Sequence, residues 1–408
     1  SFLTGRYCSS LGVGKNGIPF PDEDADALHQ LLNPYGYHTA QIGKLHFQPH
    51  AKRDHRDPHP DYGFDTFILS DEPGCYDDAY IKWVESVAPE KVDQVRTSLP
   101  PAAKKYNKKE YTNIPRRTHQ PYVFEAEEDL THSAFVTSEM CNFIENHHDE
   151  QFFAIAGFYS PHSPVNPPQK FVNMYNSEDM PLPEVGENEK IANFLEDVTE
   201  EEWRKIKAYY LALVSHIDDC VGQIIDCLEE EGIFENTIVV FTSDHGEYLG
   251  DHGRIAKGMP GHDCITNVPF IISYPEGIES GMVIDELVEG VDFVPTILDC
   301  CGIQTPTDIQ GKSFKNILEG KDEKHRQDVL TEFIAPWKKQ TTIRSHKYKY
   351  VCDSKGNEIL YDLKSDPDEL NNIVNNEQYQ KVLSDMRKRM VQRIQEASYN
   401  SRERTAEY

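Results

Sequence analysis

The ten residues TIVVFTSDHG, at positions 237–246, decide the fold class of this chain. The first six are rich in β-branched side chains, which favours a buried strand, and polar residues follow immediately. Ligands of open α/β sheets bind at the carboxyl ends of strands. Asp244 and His245 are therefore predicted to offer oxygen and nitrogen donors to a divalent cation. A helix-capping aspartate followed by an ordinary loop histidine is the alternative.

Similar patterns extend on both sides of this stretch. An apolar run at 152–158 predicts another buried strand that ends in a proline-rich loop, and residues 200–232 have the apolar spacing of one long helix. Gly232 is predicted to end that helix. A strand at 268–274 and a helix start within 287–298 continue the α/β layer. This alternation predicts an α/β fold with helices flanking the sheet.

The pattern changes after residue 320. Short strands are predicted at 341–344, 348–352 and 358–362, followed by an amphipathic helix at 375–397. We therefore expect two domains, an α/β catalytic domain over 1–320 and a smaller α+β subdomain over 321–408 with an antiparallel sheet and a long terminal helix. Residues 48–130, which include His50, His55 and His59, are expected to be an irregular insertion or lid.

Charge and cysteine content exclude some functions. With 41 Lys and Arg against 69 Asp and Glu, the net charge is −28, which opposes nucleic-acid binding. No apolar run approaches the ~18 residues of a membrane span, so no membrane partner is expected. The nine cysteines lack a CxxC pair and are expected to be mostly thiols. Unpaired cysteines favour the cytoplasm, while a periplasmic or secreted location and a homo-oligomer stay open.

Two further segments carry polar residues suited to an anionic ligand. Lys44 and His46 lie two residues apart in a strand-like segment, so both side chains point to one side, where they can hold an anion and provide an acid or base. His162 lies between prolines after the strand at 152–158 and is a candidate proton donor or ligand. Surface polar residues at a strand edge and a loop histidine with satisfied hydrogen bonds are the alternatives.

Together these segments resemble the sulfatase family of the alkaline phosphatase superfamily, over essentially the whole chain. SFLTGRY at 1–7 is similar to the second half of the signature C-x-P-S-R-x-S-F-L-T-G-R, and GKLH at 43–46 to the family's G-K-x-H element. PHSP at 161–164, SDHG at 243–246 and Lys257 match further family elements. So does LYDLK at 360–364, with Asp366, Pro367 and Glu369.

The resemblance implies an alkaline-phosphatase-like sandwich with a large, mixed, mostly parallel sheet. It also implies hydrolysis of a small-molecule or saccharide sulfate ester by a formylglycine nucleophile and a divalent cation, commonly Ca²⁺, with Mg²⁺ or Mn²⁺ as alternatives. Asp244 and His245 would be metal ligands, and His245 stands where many relatives have Asn. The implied catalytic residues are Lys44, His46, His162 and Lys257, and the implied substrate-binding residues are Lys44, His162, Lys257 and His252. A loop-bracing role for His252 is equally open.

The nucleophile position of the signature falls six residues before Ser1, and the family's Asp-Asp metal pair lies further upstream. We therefore expect the formylglycine upstream of Ser1. Cys8 does not replace it, because CSSLG at 8–12 lacks the Pro and Arg of the signature. A phosphonate monoester hydrolase or phosphodiesterase of the same superfamily is an alternative function. A non-catalytic homologue is another, if the nucleophile is absent from the natural protein.

A first prediction concerns the cationic stretch 104–117 within the expected lid. If it attracts an anionic substrate, replacing Lys104, Lys105, Lys108 and Lys109 together with alanine raises KM and leaves kcat unchanged. Steady-state kinetics check this. An unchanged KM would identify the stretch as a solvated surface loop.

Overall fold

The computed structural model describes residues 1–14, 18, 20, 26–47, 59–97, 120–321, 324–335 and 338–398. His50, His55 and the cationic stretch 104–117 lie outside the described residues. In the part of the chain that is described, no helix is long and apolar enough to cross a membrane.

Among the described residues, the first part of the chain contains five strands in two sheets. Three parallel strands pair in the order β2-β1-β3, and two strands, β4 and β5, pair antiparallel. Ala40 of the central strand lies opposite Thr66 on one side and Ala154 on the other. The bounds are β1 His38–Gly43, β2 Thr66–Leu69, β3 Phe152–Gly157, β4 Val239–Thr242 and β5 Phe270–Ser273. The predicted strands at 152–158, 237–242 and 268–274 are thus confirmed, with shorter bounds.

Nine α-helices accompany these strands in the described residues. They are α1 Leu28–Leu32, α2 Ala79–Val87, α3 Val92–Val95, α4 His132–His147, α5 Gln169–Val172, α6 Glu200–Glu230, α7 Asp263–Thr266, α8 Phe293–Cys300 and α9 Lys315–Leu318. Helix α6 confirms the predicted long helix. Thr199 and Glu202 form a capping box at its start. At its end, Gly232 has a φ of +70°, and the Ile233 N–H donates to the Leu228 carbonyl, as in a Schellman motif.

Residues 48–130 are not irregular throughout, contrary to the prediction. This segment contains β2, α2 and α3. Strand β2 is the apolar run TFIL, only four residues long, and such a run has too few residues to show a period in the sequence. Its pairing with β1 in the sheet is a tertiary contact. Tyr80, Ile81 and Val84 of α2 belong to the same buried cluster as Ala40 and Ile42 of β1.

A disulfide between Cys141 and Cys227 joins α4 to α6. Seven of the nine cysteines are free, which confirms the expectation that they are mostly thiols, and this pair is the exception. The two residues are 86 positions apart in sequence, and their Cα atoms are 5.8 Å apart because the two helices pack together. Sequence spacing gave no signal for this pair.

The C-terminal part is a four-stranded antiparallel sheet in chain order, with one long helix. The elements are β6 Val329–Ala335, β7 Lys338–Arg344, β8 Tyr348–Asp353, β9 Glu358–Asp362 and α10 Gln380–Ser398. Three predicted strands and the terminal helix are confirmed, and β6 was missed. Leu383, Met386 and Met390 of α10 cluster with Ile343 and Leu360 of the sheet. The domain division at residue 320 stays a prediction.

A buried ionic network lies beside this sheet. Asp292 is fully buried and accepts a hydrogen bond of 2.7 Å from Arg326 Nε and another of 2.8 Å from the Lys312 N–H. Arg393 of α10 donates to Glu289 at 2.7 Å and to the Tyr7 hydroxyl at 2.8 Å. Burial alone would raise the pKa of Asp292, but its bonds to Arg326 and His325 outweigh burial and lower the pKa from 3.8 to about 2.

The network predicts a large effect of Arg326→Met. The substitution leaves Asp292 buried without its main cationic partner and should lower the free energy of unfolding by about 3–5 kcal/mol. Arg387→Met, which removes an exposed pair with Glu358, is the control and should cost less than about 1 kcal/mol. Urea denaturation measures both, and equal losses would contradict the prediction.

The same network has a defined pH dependence. Because the folded pKa of Asp292 is about 2 and the unfolded value is 3.8, its contribution to stability is complete above pH 4 and lost as pH falls towards 2. The stability difference between wild type and Arg326→Met should therefore shrink over that window. A difference independent of pH between 5 and 2 would contradict this assignment.

Candidate active site

Side chains that follow β1 and β4 converge at the carboxyl ends of these strands. Lys44 follows β1 directly, and its Nζ lies 3.3 Å from Oδ2 of Asp244. Asp244 and His245 follow β4, and Lys257 Nζ lies 2.7 Å from Nε2 of His245. The structure thus brings four of the sequence-predicted residues into one cleft, where two cations face a carboxylate and an imidazole.

Lys44 is positioned by a close contact between two strand ends. Its N–H donates to the Gly157 carbonyl at 2.7 Å. Gly43 has a φ of +92°, and a Cβ at this position would lie 2.3 Å from the Gly157 oxygen. Only glycine fits both the backbone conformation and the space. The glycine of the sequence element GKLH therefore turns the chain at the end of β1, so that Lys44 points towards Asp244.

The loop between His245 and Lys257 folds back, so that the two side chains lie next to each other. The Gly246 N–H donates to the Ile265 carbonyl at 2.8 Å, which fixes the start of the loop. The Glu247 carboxylate accepts from the Leu249 N–H at 3.4 Å and from the Ala256 N–H, so one side chain ties both ends of the loop together. Glu247 carries no signal of this role in the sequence, because its partners are backbone groups.

The hydrogen bonds of His245 show which ring nitrogen can take a ligand. Nδ1 lies 2.7 Å from the Gly246 carbonyl, which can only accept, so Nδ1 carries the proton. Nε2 then presents its lone pair to Lys257. This is the arrangement of a metal-binding histidine, whose other ring nitrogen donates to a backbone carbonyl. A carboxylate and an imidazole lone pair in one cleft fit a divalent cation.

His162 lies close to these residues on the loop after β3. Its ring centroid is 6.5 Å from that of His245, and its Nδ1 is 3.0 Å from the Ser163 carbonyl. Burial, together with the nearby charges of Lys257 and Lys44, lowers the pKa of His162 to about 4. The ring is therefore neutral at pH 7. Tyr159 donates to the same carbonyl at 3.1 Å, and its ring centroid lies 5.7 Å from Lys44 Nζ.

His46 lines the same cleft as Ser1, Asp244, His245 and Lys257. Burial lowers the pKa of His46, and the charges of Lys44 and Lys257 add to the effect. The segment 1–4, which carries part of the signature, therefore borders the proposed metal and anion site.

Asp71 is a buried carboxyl beside this cleft that the sequence analysis missed. It accepts from the Leu45 N–H at 2.8 Å, and burial raises its pKa to about 8, although Lys44 opposes the increase. Asp71 therefore fixes the backbone between Lys44 and His46. The signal was present in the sequence, since Asp71 follows the apolar run of β2 as Asp244 follows β4.

The contacts of His252 are those of a loop brace. It is buried, its Nδ1 lies 2.9 Å from Glu189 Oε1, and its ring stacks on His262 with centroids 3.5 Å apart. Its backbone N–H donates to the Glu184 carbonyl at 2.7 Å. These contacts hold the loop 250–253 against the segment 184–189. We therefore assign His252 no substrate contact.

Sequence comparison identifies the family. The sulfatase family profile matches residues 1–303, and a profile described as N-sulphoglucosamine sulphohydrolase, C-terminal, matches residues 250–396. The chain belongs to the sulfatase family. An arylsulfatase of Clostridium perfringens is 29% identical over 428 residues, covering 97% of this chain and 83% of that protein.

Two further comparisons bear on substrate and fold. An N-acetylglucosamine-6-O-sulfatase of Bacteroides thetaiotaomicron is 36% identical over 186 residues, which is 42% of this sulfatase and 32% of that protein. The phosphonate monoester hydrolase structure of Agrobacterium radiobacter superposes with a TM-score of 0.81 at 23% identity, covering 97% of this chain and 85% of the other. The alkaline-phosphatase-like α/β fold is confirmed.

The strand-end contact at Gly43 predicts a position-specific effect of adding one methyl group. Gly43→Ala should destabilise the sulfatase by about 3 kcal/mol or more, because the Cβ meets the Gly157 carbonyl and φ is positive. Gly36→Ala is the matched control, since its φ is +87° but no atom lies within 4 Å of the added Cβ. It should cost only about 1–2 kcal/mol. Thermal denaturation compares the two, and similar losses would show that crowding at Gly43 is unimportant.

Proposed function

We propose that this sulfatase hydrolyses a saccharide sulfate ester and releases inorganic sulfate. The observation that carries the proposal is the convergence of Lys44 and Lys257 on Asp244 and His245 at the carboxyl ends of the strands. Two ammonium groups in one cleft suit the oxygens of a sulfate group. The similarity to an N-acetylglucosamine-6-O-sulfatase supports a saccharide as the alcohol part of the substrate.

The proposal includes a formylglycine upstream of Ser1 and one divalent cation. When bound, these supply the nucleophilic oxygen and the positive charge that polarises the sulfate. Asp244 and His245 would hold the cation from this part of the chain. The lone pair of His245 Nε2 faces the cleft. In the structure, the Lys257 ammonium group lies beside this nitrogen and the Lys44 ammonium group beside the Asp244 carboxylate. Both atoms therefore already face positive charge, and they fit a cation.

The remaining residues would bind and orient the substrate. Lys44 and Lys257 would contact sulfate oxygens, and His46 would contact the sulfate or the nucleophile from the same cleft wall. His162 would hydrogen-bond the leaving oxygen through Nε2, because its Nδ1 is engaged by the Ser163 carbonyl. An anionic substrate beside the ring would favour its protonated form, which a general acid requires.

A phosphonate monoester or phosphodiester is the second candidate substrate. The overall fold superposes on a phosphonate monoester hydrolase, and tetrahedral phosphorus esters carry anionic oxygens that the same lysines could contact. The fold does not distinguish the two candidate substrates, so the rates at which the protein hydrolyses them must be measured. Purified, formylglycine-containing full-length protein is to be assayed on aryl sulfates, glucosamine sulfates and phenyl phosphonate. Phosphonate cleavage without sulfate release would overturn the sulfate proposal.

Replacing Lys257 tests the role of the cleft cations. Lys257→Ala should lower kcat/KM for the sulfate ester by about 10²–10³, the usual effect of removing one oxyanion-stabilising donor, without loss of thermal stability. Lys388→Ala, on the exposed surface of α10, is the matched control and should leave kcat/KM unchanged. Equal activity of both variants would remove Lys257 from the site.

The nitrogen ligand atom that His245 would provide leads to a prediction about which metal ion the site prefers. Ca²⁺ takes oxygen ligands almost exclusively, whereas Mn²⁺, as a first-row transition metal, accepts an imidazole nitrogen more readily than Ca²⁺ does. The variant His245→Asn restores the residue common in relatives and should shift the preference towards Ca²⁺. Metal-free protein is to be incubated with equal Ca²⁺ and Mn²⁺, and the retained ions measured by mass spectrometry. An unchanged ratio would exclude His245 as a ligand.

A further inference from the structure

A second group of potential metal ligands lies at the opposite ends of the parallel strands. His38 is the first residue of β1, His147 is the last residue of α4, and Glu150 precedes β3. We call these three residues the amino-edge cluster. One ligand atom from each of them lies within 4.8 Å of the other two. Lys44 lies six positions after His38 along β1, so about 20 Å separates this cluster from the catalytic cleft.

The distances within the amino-edge cluster match ligands that share one ion. His38 Nδ1 lies 3.4 Å from Glu150 Oε2, and His147 Nδ1 lies 3.5 Å from Glu150 Oε1. Neither of these two contacts is among the hydrogen bonds that the described residues form. Ligand atoms about 2.0–2.1 Å from a tetrahedral zinc ion are about 3.3 Å apart, so each ring nitrogen lies at ligand spacing from one of the two Glu150 oxygens.

The hydrogen bonds around the two rings leave both Nδ1 atoms available. His38 Nε2 lies 3.0 Å from the Thr66 hydroxyl, so a proton on Nε2 leaves the lone pair on Nδ1. His147 Nδ1 is buried and has no hydrogen-bond partner among the described residues. The ring planes are tilted by 46°, with centroids 4.1 Å apart. Such a tilt allows two ring lone pairs to converge on one point.

The other His-His-Glu group in the described structure lacks this convergence. Glu189, His252 and His262 also bring ligand atoms together. However, the rings of His252 and His262 are stacked with planes only 2° apart, so their in-plane lone pairs run in parallel planes. His262 is further engaged by the Tyr248 hydroxyl at 3.1 Å. That group braces a loop, and its geometry does not suit an ion.

We propose that His38, His147 and Glu150 bind one zinc ion, separate from the catalytic cation. Two imidazoles and a carboxylate are zinc ligands, and the half-exposed Glu150 leaves the fourth position open to water. The ion joins the start of β1 to the end of α4 and to the turn before β3. It therefore anchors the edge of the sheet that faces away from the cleft.

Zinc titration of the full-length protein tests this site. Metals are first removed with a chelator, and zinc is then added back. After desalting, wild type should retain one more zinc ion per chain than Glu150→Gln, as measured by mass spectrometry. Thr66→Val removes the hydroxyl that orients His38 and should weaken zinc binding at this site about 10- to 100-fold in calorimetry. Cobalt substitution should give the visible absorption of a tetrahedral ion in wild type and not in Glu150→Gln.

His148→Ala is the matched control, because His148 is adjacent to the cluster but faces Glu231 at 3.3 Å. It should bind zinc as wild type does. All these variants keep the catalytic cleft, so zinc bound there does not enter the differences. Equal zinc content in wild type and Glu150→Gln, with equal affinity in Thr66→Val, would overturn the proposal and leave the cluster as an ion pair.

Discussion

The arrangement of the cleft depends on two ammonium groups held beside Asp244 and His245. Lys44 and Lys257 repel each other, and the carboxylate and the imidazole lone pair stabilise them at 3.3 and 2.7 Å. These contacts use the same atoms that a divalent cation would use. Asp244 and His245 would hold the cation, and Lys44 and Lys257 would neutralise the charge of a bound sulfate. The net charge of −28 does not oppose this, because the local field depends on the few charges that line the cleft.

The two lysines reach the cleft by different structural means. Lys44 depends on the close approach of Gly43 to Gly157 at the ends of adjacent strands, with Asp71 holding the backbone beyond it. Lys257 depends on a loop whose ends are tied by the Glu247 carboxylate. In both cases a buried acidic side chain satisfies backbone N–H groups that would otherwise be unpaired. Lys44 and Lys257 are thus positioned by carboxylates that bond the neighbouring backbone.

The two parts of the chain are held together by charge as well as by apolar contact. Arg393 of the terminal helix bonds Glu289 and Tyr7, and Arg326 bonds the fully buried Asp292. Tyr7 belongs to the signature segment, so this network connects the C-terminal subdomain to the residues that border the cleft. Removing one member of such a buried network is costly, because the remaining charge keeps its desolvation penalty.

The sequence by itself determined the α/β class, the long helix α6, the C-terminal meander and most of the cleft residues. These follow from local signals, namely apolar period, turn residues, and polar residues placed directly after buried strands, whereas Lys257 was predicted only from the resemblance to the sulfatase family. It did not determine β2, β6, the Cys141–Cys227 pair, the support from Asp71 and Glu247, or the bracing contacts of His252. Each of the features that the sequence did not determine depends on contacts between segments distant in sequence, or on a carboxylate that accepts hydrogen bonds from backbone N–H groups. Nearly every residue carries such an N–H group, so the sequence does not show which one is the partner. Such partners are chosen only when the chain packs, so the tertiary structure alone decided them.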